Sequence, residues 1–436
     1  MNLSTLISKT KEKGIIYALK KIFLVLIDVI SRSLRAVLLP CICFLFFIIS
    51  SLRKKEGVLI LTPSDPGSIG DEALLQSTID YLHSHQVKKI GLIKYKKDVS
   101  WHNETPITEC IDAESFFTSN SIKSIVEFLI KSMGYKKFYI LGADVLDGFY
   151  SDRHAAWRLD LARYASLSGI STSIIAFSLR DIIKPYTLKA FKKIPKNIFL
   201  TTRDVQSEKI LKDTTNKDAI VTTDVAFLLH PTNTPLLLET QSWAEQQKLV
   251  IGININPYFL KDQSKESIDN LLTVYTSLIA NFHKSFSCSF MLIPHDVRAS
   301  TIRYHEVRLT EQLFTHLPSH IQNVSRIIPS FSLSASEIKY AAGLCGFVIT
   351  GRMHLAIASL SQGVPVVSIS YHDNKFFGLY EQFDLQNLVF SQEDLYDHKK
   401  ISEALLQLIT DKKRITQKIA EKLPGVVARA YKNFHE

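Results

Sequence analysis

The sequence predicts an α/β protein of two Rossmann-like, doubly wound domains facing each other across a cleft, behind an N-terminal membrane-associated helical extension. Three observations lead there: two successive series of short apolar strands alternating with helical stretches, a turn-rich break between the series, and an N-terminal segment whose charge differs from the rest. The first series contains Val58–Leu61, Phe138–Leu141, Ser173–Ala176 and Ile198–Leu200, with helical spacing of apolar residues over Glu72–His83 and Ile122–Met133. The second contains Leu249–Ile253, Phe290–Ile293, Phe347–Ile349 and Val366–Ile369. Strands that are apolar throughout belong to parallel sheets covered on both faces. The break at His230–Pro235 lacks periodicity, which gives an extension over 1–56, one domain over 57–235 and a second, with C-terminal helices, over 236–436. In such domains ligands bind at the carboxyl ends of the strands and between the domains.

With 436 residues, 46% of them hydrophobic and 22% charged, the chain is long enough for two separate cores and is neither disordered nor collagen-like. Five cysteines make no disulfide framework, and Cys41-Ile42-Cys43 lacks the spacing of a zinc site, so a reducing compartment and no metal are expected. The net charge of +10 is not spread evenly: residues 1–55 hold ten Lys/Arg against Glu12 and Asp28, and the remaining 381 residues carry only +2. The body therefore shows no basic footprint for a nucleic acid.

The extension reads as a membrane element. Residues 36–52 form 17 positions without a charge, the lower limit for crossing a bilayer, and Pro40 interrupts them. Upstream, Ile15–Ile30 carries Lys20, Lys21 and Asp28 within an apolar pattern, as an interfacial helix does. A cleaved signal peptide does not fit, because the apolar run starts late and no small-residue cleavage site follows. The expectation is attachment to a membrane surface through residues 15–55, either as a monotopic element with both basic flanks and the body at the cytoplasmic face, or as a single span, for which the charge rule puts the N-terminus in the cytosol and the body on the opposite side.

Phosphate-loop, Gly-x-Gly-x-x-Gly, His-Glu-x-x-His and Gly-x-Ser-x-Gly motifs are all missing, which removes support for nucleotide hydrolysis, dinucleotide redox chemistry, zinc proteolysis and serine hydrolysis. Four strand-end segments remain. Pro66-Gly67-Ser68-Ile69-Gly70-Asp71-Glu72 offers backbone N–H groups at a helix start, where Gly70 permits close approach and Asp71 serves as N-cap, as a cleft carboxylate, or both. Leu141-Gly142-Ala143-Asp144 closes an apolar strand and aims Asp144 at the cleft, unless it is a plain turn. Arg203, ending a strand in Thr201-Thr202-Arg203-Asp204, suits carboxylate or phosphate binding, or else a local ion pair with Asp204 or another acid. The strongest segment is Thr350-Gly351-Arg352-Met353-His354, followed by Gly363-Val364-Pro365 and Tyr371…Lys375. An unpaired Arg and His at a helix N-terminus call for an anion, and His354 can also move protons.

In this order and spacing the motifs resemble the polysaccharide pyruvyl transferase family over roughly Gly57 to Leu388. Ser68-Ile69-Gly70-Asp71 stands for its Asn-x-Gly-Asp element, Gly142-Ala143-Asp144 for its glycine-rich turn, and Arg203-Asp204-Val205-Gln206-Ser207 for its Arg-Asp-x-x-Ser element. Asp224 in Thr223-Asp224-Val225, the Arg352-Met353-His354 turn, Gly363-Val364-Pro365 and Tyr371…Lys375 complete the series. Ser68, Ala143 and Asp144 depart from the family's usual residues, and Tyr371 to Lys375 is one residue longer than common. The resemblance implies a GT-B-like fold and transfer of pyruvate from phosphoenolpyruvate to sugar hydroxyls of a polysaccharide or its lipid-linked precursor, as a ketal with release of phosphate. It implies Arg203, Arg352 and His354 at the donor, where Lys375 and Gly70 are expected too. For the chemistry, His354 or an acid nearby is expected as the acid and Asp71 or Asp144 as the base, with no cofactor and no metal. The alternatives are a GT-B glycosyltransferase using a nucleotide-sugar and a membrane-tethered binding module without catalysis.

Overall fold

The computed structural model describes residues 37–96, 100–102, 106–262, 264–298, 306–371 and 376–434. The Ile15–Ile30 segment and Lys375 lie outside them. The first sheet holds β1 (Val58–Leu61), β2 (Ile90–Lys94), β3 (Glu109–Asp112), β4 (Lys137–Ala143), β5 (Ser171–Phe177), β6 (Phe199–Thr202) and β7 (Ile220–Val221), all parallel, in the order β3-β2-β1-β4-β5-β6-β7. The second holds β8 (Val250–Ile253), β9 (Ser289–Leu292), β10 (Ser325–Ile327), β11 (Phe347–Thr350), β12 (Val366–Ser370) and β13 (Val389–Ser391), also parallel, in the order β10-β9-β8-β11-β12-β13. In both, chain direction across the sheet reverses beside the first strand, between β1 and β4 and between β8 and β11. Such switch points open a crevice at the strands' carboxyl ends.

The apolar strands divide their side chains by twos, as a pleat requires. Leu59, Leu61, Phe138 and Ile140 enter one buried cluster, while Val58, Ile60, Tyr139 and Leu141 enter another that continues into the second domain. The two domains therefore share apolar packing beneath the cleft. The last helix, Lys412–Tyr431, returns the chain to the first domain: Asn433 Nδ2 donates to Thr223 O (2.8 Å), and Phe434 stacks on Tyr81 with centroids 3.9 Å apart.

Residues 37–51 are helical, with Leu39, Cys43, Phe46 and Ser50 buried against the first domain. Among the described residues no helix is long and apolar enough to cross a membrane.

Candidate active site

The loop after β1 leads into the helix Ile69–Ser84, whose N-cap is Ser68, accepting the Asp71 N–H at 3.4 Å. Asp71 is thus not the cap. It sits in the first turn, accepts a hydrogen bond from Ser64 Oγ, and faces the cleft. Gly67, at φ +97°, passes the second domain so closely that a Cβ would lie 2.8 Å from Arg298 Cγ, and its carbonyl accepts the Val297 N–H at 2.8 Å. Gly70 has the sharper requirement: a Cβ there would lie 2.2 Å from His354 Nδ1. The missing side chain is what lets an imidazole from the second domain rest on the first domain's helix start.

Arg203 follows β6, and its buried guanidinium donates from Nη1 to Asp224 Oδ2 (2.8 Å) and from Nε to Ser178 Oγ. Asp224 lies just past β7, where its Oδ1 caps the short turn Val225–Leu228 by accepting the Ala226 N–H at 2.9 Å. Its Oδ2 also lies 3.5 Å from His354 Nε2 across the domain boundary. Among the described residues that buried Nε2 has no hydrogen-bond partner, so this charge contact is what faces it. Burial alone would push the Asp224 carboxyl up, but His354, Arg203 and the Ala226 N–H more than offset it and hold it at about 2.

Arg352 begins the helix Met353–Leu360 after β11, with its own N–H donated to Thr350 Oγ1 at 2.8 Å. The expectation of an unpaired Arg there does not hold. Nε and Nη2 reach Glu306 Oε2 at 2.8 and 2.6 Å, and Nη1 lies 3.4 Å from Asp296 Oδ2. A cation at a helix N-terminus needs a counter-charge, and the fold supplies it from residues distant in sequence. Glu306 also accepts from Asn254 Nδ2 and from the His295 N–H, each at 2.6 Å. Burial pushes its carboxyl up despite Arg352, whereas Arg352, with Arg298, holds Asp296 down against its own burial. His295, buried and facing His354 and Arg352, is held neutral, near 3.

Further out, Asp144 Oδ2 accepts the Tyr150 phenol (3.1 Å) and lies 3.9 Å from Arg180 Nη2, while Arg180 Nη1 donates to Asp147 at 2.7 Å. The turn carrying Asp144 needs φ +45° at Ala143, where an alanine is strained and a glycine would not be. Arg158, inside a helix, donates to Tyr95 Oη (2.9 Å) and Pro63 O (2.6 Å).

One cleft of about 560 Å³ is lined by Gly70, Asp71, Asp144, Arg203, Arg352 and His354 together. Among the described residues no three His, Cys, Asp or Glu side chains are grouped as metal ligands would be.

Residues 69–374 match the sequence profile of polysaccharide pyruvyl transferases. The chain belongs to that family. No curated protein matches it. Solved structures similar to it share the fold of GT-B glycosyltransferases. MnaA of S. aureus with UDP is 12% identical over 86% of this chain and 94% of that one, with a TM-score of 0.54. A glycosyltransferase from Rickettsia africae is 13% identical over 87% and 97%, with a TM-score of 0.52. A UGT transferase from Siraitia grosvenorii with UDP is 12% identical over 85% and 95%, with a TM-score of 0.51. At these identities the likeness is one of fold.

Within this family member, sequence reasoning missed His295, Asp296, Arg298, Glu306 and Arg158, and gave Asp224 no task. Pro294-His295-Asp296-Val297-Arg298 begins one residue after Ile293, itself next to the apolar β9, so the strand-end rule that singled out Arg203 applies there too. Arg158 and Glu306 carry no comparable signal.

Proposed function

We propose that this pyruvyl transferase takes phosphoenolpyruvate as donor and forms a pyruvate ketal on a polysaccharide or its lipid-linked precursor. The observation that carries the reading is the Arg203–Asp224–His354 relay, with Arg352 two residues from His354, at one corner of the cleft. Two guanidiniums suit a ligand with two anionic groups, a carboxylate and a phosphate. Each has donors to spare: Asp224 and Ser178 engage two N–H groups of Arg203, and Glu306 engages the Nε edge of Arg352.

In this reading His354, facing the Asp224 carboxylate, gives a proton to the donor's methylene carbon, which becomes a methyl group. The electron pair of the C=C bond forms the new C–H bond and leaves C2 cationic. A sugar hydroxyl adds to C2 and loses its proton to a base. The C2–O bond to phosphate then breaks, phosphate departs with its electron pair, and a second hydroxyl closes the ketal. One proton is gained on carbon and two leave the hydroxyls by way of the base, which passes one on to restore His354 while the other goes out with phosphate. Asp71 is the better-placed base, since it adjoins the Gly70 on which His354 rests, while Asp144 is occupied by Tyr150 further out. The arginines offset charge as it moves from C2 to phosphate.

The alternative, a nucleotide-sugar glycosyltransferase, shares the fold. Incubating purified protein and oligosaccharide acceptors with phosphoenolpyruvate or with nucleotide-sugars separates them. A product heavier by one pyruvate ketal, with phosphate released, is expected; a product heavier by one sugar contradicts the proposal.

A further inference from the structure

The helix over residues 37–51 is apolar on both faces. Its inner face, Leu39, Cys43, Phe46 and Ser50, is buried on the first domain, and Ser50 Oγ donates to Ser168 O at 2.8 Å. Just beyond the helix, Lys55 Nζ donates to Gly169 O at 2.6 Å. The opposite face leaves Val37, Phe44, Leu45, Ile48 and Leu52 in solvent, at 67, 64, 54, 43 and 83% exposure. These positions recur at helical spacing and form one stripe. A monomer seldom shows so continuous an apolar surface without something to cover it.

Charge identifies the cover. Arg53 and Lys54 follow the helix directly and are exposed. Beside them Lys88 and Lys136 are exposed at the amino ends of β2 and β4, along a groove that also holds the acids Glu56 and Glu109. At the other end, the 36 residues before the helix carry seven Lys/Arg against two acids. An uncharged stripe between two basic flanks matches an anionic lipid surface. A second copy of this chain is disfavoured, because a two-fold contact through the stripe would bring basic flank against basic flank.

We infer that the outer face of the 37–51 helix lies in the plane of an anionic bilayer, immersing Phe44, Leu45 and Ile48, while its inner face stays packed on the domain. A spanning helix would have to abandon the contacts of Leu39, Cys43, Phe46 and Ser50. The chain is therefore seated on the membrane by its flank, as an in-plane anchor.

Flotation of the full chain with vesicles tests this. Wild type is expected to float with vesicles of phosphatidylcholine plus phosphatidylglycerol, to float less with phosphatidylcholine alone, and to release as salt rises. The double variant Phe44→Glu/Ile48→Glu, whose side chains touch no core, is expected to keep its circular dichroism melt and lose about tenfold or more in partitioning. Equal flotation of wild type and variant overturns the inference. So does a wild type that ignores both vesicles but is a dimer by light scattering and becomes monomeric in the variant, since a second copy then covers the stripe.

Discussion

The two ends of the cleft are built on different principles. At the inner corner the cations are held by buried carboxylates: Arg203 by Asp224, Arg352 by Glu306 and Asp296, with His354 facing Asp224. At the outer end, Asp144, Tyr150 and Arg180 are partly exposed, and their contacts are joined by ring stacking, with Arg180 3.9 Å from the centroid of Phe149. Charges fixed in a desolvated corner bind a small anion in one geometry with little reorganisation, whereas polar and aromatic groups at a wet edge tolerate different sugars. On the proposed reading the inner corner holds the donor and the outer end the acceptor.

The largest effect is expected at Arg352. On the proposed reading Arg352→Ala removes a donor contact, and it also leaves the buried Glu306 without its cationic partner, so donor use is expected to fall by about two or more orders of magnitude. Stability falls too, by about 3–5 kcal/mol. Adding Glu306→Gln in the same chain is expected to restore part of the thermal stability and none of the donor kinetics. Recovery of both together would make Arg352 structural and end its place at the donor.

Arg203→Ala comes next, with a similar loss of donor use and a smaller loss of stability, because Asp224 still faces His354. Normal kinetics for phosphoenolpyruvate in a folded Arg203→Ala protein would remove that residue from the corner.

Proton transfer separates from binding at His354 and Asp224. His354→Gln leaves a polar side chain of similar reach that cannot titrate, so donor binding by calorimetry is expected to persist while turnover collapses. Asp224→Asn removes the carboxylate that faces His354 Nε2, and kcat is expected to fall while donor binding persists. An unchanged kcat would leave Asp224 as no more than a prop for Arg203.

A milder dependence on pH tests how the walls are joined. His102 Nδ1 meets Glu72 Oε2 at 2.9 Å, its Nε2 meets the Phe331 carbonyl at 3.1 Å, and Glu72 Oε1 accepts the Ala335 N–H at 3.1 Å, so the trio ties the domains together. The hydrogen bond to Glu72 outweighs burial and raises His102 from 6.5 to about 9. Folding therefore holds this proton more tightly than the unfolded chain does. The stabilisation is fully present below 6.5 and is lost as pH rises through about 9. His102→Gln is expected to flatten the melting temperature across that window; an unchanged slope would assign it elsewhere. The smallest effect belongs to the outer end, where Tyr150→Phe removes the phenol that donates to Asp144 and is expected to raise KM for the acceptor while leaving KM for the donor alone.

What was legible in the sequence follows the same division. Strands apolar from end to end, such as Val58–Leu61 and Phe347–Thr350, announce themselves, because both faces must be covered. β3, β7, β10 and β13 are short or polar and leave no such trace. Residues at strand ends could be found because the fold class says where ligands bind. Their counter-charges could not: Glu306 pairs with Arg352 only after β9 and β11 are set on either side of β8. Arg158 in mid-helix reads as a solvated base until the loop carbonyl of Pro63 closes over it.

The measurement that bears most directly on the donor chemistry is transfer carried out in heavy water with unlabelled phosphoenolpyruvate. If an exchangeable acid at His354 protonates the methylene carbon, each ketal formed by the wild type carries one deuterium on its methyl group. His354→Gln should then yield little ketal at all. A ketal without deuterium, or full transfer by His354→Gln, would contradict protonation from this corner.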